Sequence, residues 1–168
     1  MFERKGAKMR QIQISDQKNA DKTKDIFMNA FNAKLPKRVE RSLSLPATYT
    51  SNAPRINLGE ATECFIHGFF NASISLSRTT LEQALKHKLN IDEKEIVSMN
   101  CLIKLATAQK LLNNNLEKEA IKIQKWGNIY IHDKKKKDIE NYEQESRSKE
   151  VLLSVKKIIE TLYPHEGD

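Results

Sequence analysis

The chain has 168 residues, 39% hydrophobic and 30% charged, with only 5 Gly and 4 Pro; this suits one domain with a modest core and disfavours a turn-rich β fold. No apolar run approaches the roughly 18 to 20 residues of a membrane span, and the charged start MFERKGAKMRQ lacks a signal peptide's apolar stretch, so a cytoplasmic protein with no membrane partner is expected. The net charge of +7 is uneven: residues 1–50 carry 11 of the 29 Lys and Arg and 5 of the 22 Asp and Glu, leaving 18 and 17 for the rest.

From Met1 to about Asp21 nothing is periodic, and a disordered or loosely attached segment is expected. Ile26, Phe27, Ala30, Phe31 and Leu35 recur at helical spacing and predict a short helix ending at Pro36. Ser42 to Pro54, with two prolines among Ser, Thr and Asn, reads as a linker. Residues 1–54 thus form a basic, partly disordered N-terminal extension, whose charge suits phosphates, an acidic partner or simple solubility. Residues 55–168 form the folded domain.

Asn57 followed by Glu60 predicts a capped helix start. Leu58, Ala61, Phe65, Phe69, Ala72 and Leu76, then Leu81, Leu85 and Leu89, keep helical spacing with a phase shift near residues 77–80, as one bent helix or two stacked ones. Asp92 is a predicted cap for a helix carrying Ile96, Met99, Ile103 and Ala106, which fades at Asn113-Asn114-Asn115. A further helix runs from Leu116 towards His132, and a last one with Leu152, Val155, Ile159 and Leu162 stops at Pro164. The prediction is an all-α fold, a four-helix-type bundle. Cys64 and Cys101 are too few for a disulfide framework and read as buried free thiols, with His67 a core residue beside Cys64. No phosphate-binding loop, dinucleotide fingerprint or zinc-protease motif is present, so no cofactor or metal is expected.

One segment carries chemistry, Ile123 to Asp133 (IQKWGNIYIHD). On a helix Lys125 and His132 fall within about 20° of each other, with Asn128 some 40° to 60° away. The stripe Leu116, Ala120, Ile123, Gly127 and Tyr130 points nearly opposite. A histidine moves protons near neutral pH, and an amide and a cation can bind a phosphate and steady its developing charge. Lys125 and His132 lie about 10 Å apart along the axis, too far to grip one phosphate together, which favours a site built by two chains. The lysines Lys134, Lys135, Lys136 and Lys137 follow, suited to a polyanion or to a solvated loop. Trp126 reads as a core or interface anchor.

Two stretches together resemble the HEPN (higher eukaryotes and prokaryotes nucleotide-binding) superfamily, particularly its bacterial helical domains sometimes fused to restriction-type helicases. Gly68, Phe69, Arg78, Leu81 and Glu82 match its long first helix; Gly127, Asn128 and His132 match its Gly-Asn-x-x-x-His signature; Val151 to Tyr163 resembles its closing helix. The likeness spans roughly residues 55–163. It implies a HEPN-like bundle, a homodimer and metal-independent RNA cleavage, with His132 as proton-transfer group, Asn128 as orienter and Lys125 where ribonuclease members carry an Arg four to six residues before the His. It also implies a place in prokaryotic defence or stress response. Lysine keeps the charge but not the planar two-point grip on phosphate. Two readings therefore stand: an RNA-binding or RNA-cleaving protein, and a catalytically silent dimerising module that docks a protein partner or nucleic acid.

Overall fold

The protein is described by a computed structural model covering residues 3–45, 55–132 and 141–164. The described residues form six helices and no strand: α1 (Glu3–Leu43), α2 (Arg55–Ile66), α3 (Phe70–Lys88), α4 (Met99–Ala108), α5 (Asn114–His132) and α6 (Asn141–Leu162). Two compact units divide the chain, Met1–Glu40 and Arg41–Asp168.

The first unit is the greater part of α1. The helix expected to end at Pro36 does not end there: one helix runs from Glu3 through Pro36 to Leu43. Proline deprives the Asn32 carbonyl of its donor, a loss usually fatal to a buried helix. Here Pro36 is exposed, and water can serve the carbonyl. The expected linker falls mostly on residues 46–54, outside the described residues.

The second unit is an all-α bundle in which α3 packs on α2, α4, α5 and α6. Its core is mainly aliphatic, with Leu58, Ile74, Leu81, Leu85, Leu102, Ile103, Ile123, Val155 and Ile158 buried around Phe65, Phe70 and Tyr130. The predicted first helix is two helices, and the break is at Gly68, not at residues 77–80. Gly68 takes φ +83°, and the Phe69 amide donates to the Cys64 carbonyl at 2.7 Å, a left-handed helix stop that glycine makes without strain. The turn changes which face is buried. Phe70, Ser73, Ile74 and Ser77 enter the core, while Phe69 and Ala72, expected inside, are exposed.

Asn57 is not a cap. It lies inside α2 and donates to Gln83 Oε1 at 2.6 Å. Nor does Asp92 cap α4; it closes a local turn with the Lys94 amide, and Ser98 caps α4 by accepting from Cys101 N at 3.3 Å. Ile96, expected in the core, is fully exposed in the loop between. That loop is held by Lys86, a buried lysine whose Nζ donates to the carbonyls of Glu93 (3.0 Å) and Glu95 (2.8 Å) and lies 3.7 Å from Glu82. Neither thiol is fully buried as expected: Cys64 is half-buried and Cys101 exposed. His67 is exposed beside Glu63, one helical turn away.

Candidate functional site on α5

Asn113 starts α5, its Oδ1 accepting from the amides of Asn115 and Leu116, each at 3.0 Å. The stripe Leu116, Ala120, Ile123, Gly127 and Tyr130 is buried throughout, as its spacing predicts. Lys125 and Asn128 are consequently exposed on the outer face, with Ile121 one turn earlier, 47% exposed. His132 is the last residue of α5; its side chain and Lys134, Lys135, Lys136 and Lys137 lie outside the described residues.

Two arginines from other helices close on the middle of this segment. Gly127 faces α3 so closely that a Cβ there would overlap Cδ of Arg78 and come within 3.0 Å of its Cβ and Cγ. The Arg78 stem therefore lies directly on the α5 backbone. From α6, the Arg147 guanidinium sits 4.0 Å from the centre of the half-buried Trp126 ring and pairs with Glu143. Trp126 thus anchors α5 on α6 as predicted, and its ring is covered by a cation. Lys125 Nζ is 5.9 Å from the same ring.

A second clasp joins α5 to α6 a turn or two earlier. Glu119 accepts from Ser154 Oγ at 2.6 Å, and Lys122 bridges Glu150 at 2.8 Å and Glu119 at 3.4 Å. The Ser154 hydrogen bond and the nearby Lys122 hold the Glu119 carboxyl below its ordinary range, while the Glu150 hydrogen bond pushes Lys122 up. Among the described residues no group of three or more His, Cys, Asp or Glu is placed to hold a metal. A hollow of about 560 Å³ lined by Thr107, Lys110, Leu112 and Asn113–Asn115 sits at the opposite end of α5 from His132.

A family model covers residues 59–166, from α2 to just past the end of α6, and so includes every residue of this site. The chain belongs to the DUF4145 family. DUF4145 is described as a domain of unknown function. No curated protein and no solved structure matches the chain. The DUF4145 region begins within α2, so α1 lies outside it.

Spacing does not reveal the roles of Arg78 and Arg147. A glycine within the buried stripe of α5 does signal a close approach by some neighbour, but the neighbour is 49 positions away in sequence, and no helical period reports such a pairing.

Proposed function

We infer that this DUF4145 protein is a HEPN-like dimer that binds or cleaves single-stranded RNA without a metal, in prokaryotic defence or stress response. The observation that carries the reading is the polarity of α5: its apolar stripe is buried, and Lys125 and Asn128 stand exposed on the opposite face, in the part of the helix that ends at His132. Cleavage would proceed by attack of a ribose 2′-hydroxyl on the adjacent phosphate, with His132 moving the proton, Asn128 orienting and Lys125 meeting phosphate charge. Lys134, Lys135, Lys136 and Lys137 would extend the basic track.

The test is cleavage of single-stranded RNA by the purified full chain. His132→Ala should abolish it without moving the melting temperature, and Lys125→Arg should keep or raise it. Cleavage unaffected by His132→Ala would sink the enzymatic reading.

The silent-module reading is favoured by one observation, the exposed Ile121 on the same face as Lys125 and Asn128, since an aliphatic side chain there suits a protein partner. Cleavage of no RNA substrate, by the unsubstituted chain and by Lys125→Arg alike, would support it.

A further inference from the structure

Within the second unit, Arg41, Arg78 and Arg147 differ in their partners. Arg41 donates to both carboxylate oxygens of Glu145 (2.7 and 3.2 Å) and to the Ile66 carbonyl (3.3 Å), and lies over the Phe70 ring. Arg147 pairs with Glu143 and lies over Trp126. Arg78 is different. Its stem is fixed against Gly127, yet its Nε is buried with no hydrogen-bond partner among the described residues. Its Nη1 approaches Glu82 only to 3.9 Å, beyond hydrogen-bonding distance. The side chain as a whole remains 21% exposed.

Other buried polar groups on α3, α5 and α6 are also left unused. Ser75, Thr79 and Thr80 on α3 each donate to the carbonyl four residues back, the usual resting place of a helical hydroxyl. Ser77, next to Arg78, does not; nor does Ser73 one turn earlier. The hydroxyls of Tyr130 on α5 and Ser148 on α6, the neighbour of Arg147, are also buried and without a partner among the described residues. Each such group has given up its hydration on folding and gains from any partner that answers it. A guanidinium held in place by packing and left short of acceptors is best answered by an oxyanion, which it can grip at two points as a lysine cannot.

We propose that Arg78 is an oxyanion-binding residue, set against α5 by Gly127, that takes a phosphate group. This rests on the RNA reading for the identity of the ligand, though not for the binding of phosphate itself. Arg78 thereby offers, from α3, a two-point phosphate grip of the kind a lysine cannot make. Gly127 is the positioning residue, because any side chain there would drive the Arg78 stem off the helix.

The experiment is a titration of the full chain, with arginine Nε labelled for magnetic resonance, using inorganic phosphate, and chloride at equal ionic strength as control. The Nε–H signal that is missing from Arg78→Lys should move saturably with phosphate and not with chloride. Arg78→Gln should weaken single-stranded RNA binding about tenfold, with part of the loss recovered in Arg78→Lys. An Arg78 signal indifferent to phosphate overturns the proposal, as does unchanged RNA affinity in a folded Arg78→Gln. Phosphate binding at Arg78 in a chain that binds no RNA upholds the oxyanion site and defeats the RNA reading instead. If Arg78→Gln fails to fold, the titration of the unsubstituted chain decides alone.

Discussion

Gly127 and Arg78 are in contact along the stem of the arginine, whose Cβ and Cγ would both lie 3.0 Å from any Cβ at 127. A helix-interior glycine ordinarily gains about 1 kcal/mol on replacement by alanine. Here the added methyl must displace a part-buried side chain, which costs about 1–3 kcal/mol. Gly127→Ala should therefore be destabilising on balance, by about 1 kcal/mol in urea unfolding. In an Arg78→Ala background most of that loss should vanish, since the overlapping Cδ is gone. An equal loss in both backgrounds would show that something other than Arg78 occupies the space.

Lys86 governs the connection between α3 and α4. It is a buried charge answered by two carbonyls and the Glu82 carboxylate. Lys86→Met keeps the length of the stem and removes the donor, leaving the Glu93 and Glu95 carbonyls without it. A loss of about 2–3 kcal/mol is expected. Amide exchange over residues 91–97 should quicken more than elsewhere in the bundle. Uniform quickening would mean that the loop is held by something else.

The difference between what can be foreseen and what cannot follows the range of the interactions. The buried stripe of α5 and the outward Lys125 and Asn128 are local, and a 3.6-residue period reports them, whereas the start at Asn113, three residues before the expected Leu116, is set by a cap the period does not see. The same period misplaces the division of α2 from α3, because Phe69 continues the apolar spacing across Gly68 and hides a left-handed stop. It also puts Ile96 in the core, in phase with Met99 and Ile103; the residue is exposed because Ser98, not Asp92, starts α4. The uninterrupted α1 departs from the expectation that Pro36 ends the helix; at that exposed position water can answer the Asn32 carbonyl, which offsets the lost hydrogen bond though not the clash of the ring. The arginines that meet Trp126 and Gly127 come from other helices, where spacing says nothing.

The α5–α6 clasp predicts a pH dependence of stability. The folded Glu119 carboxyl is held below its ordinary value, chiefly by Ser154. Its contribution is therefore present above the unfolded value of about 4.5 and is lost as pH falls through the lower folded value. Lys122 has the opposite sign: raised by Glu150, it contributes fully below its unfolded value of about 10.5 and loses that contribution as pH rises through the folded one. Urea midpoints compared between Ser154→Ala and the unsubstituted chain should differ at about pH 7 and converge as pH falls through the lowered folded value. Both members of the ion pair are part-exposed, so added salt should shrink the Lys122 contribution more than the Ser154 hydrogen bond. A Ser154→Ala penalty that persists undiminished in acid would assign it to packing.

Arg41 makes the last prediction, because it stands at the first position of the second compact unit. Its guanidinium is bound to both oxygens of Glu145, to the Ile66 carbonyl and to the face of Phe70, with only 13% of the side chain exposed. It also lies over Gly68, where a Cβ would meet Nη1 at 3.2 Å, so the α2–α3 turn, the start of α6 and the end of α1 depend on one side chain. Removing residues 1–40 should leave a chain that still unfolds cooperatively, as the excluded residues form a unit of their own. Arg41→Ala in the full chain should cost more than that deletion does, about 2–3 kcal/mol, because the Ile66 carbonyl and the Glu145 carboxylate lose charged donors. Arg41→Lys should recover only part, since an ammonium cannot hold two carboxylate oxygens and the Ile66 carbonyl in one plane. Thermal melts followed by circular dichroism on the three proteins rank the effects. A truncated chain less stable than Arg41→Ala would mean that residues 1–40 support the bundle by contacts of their own, and the natural boundary of the folded domain would then lie before Arg41.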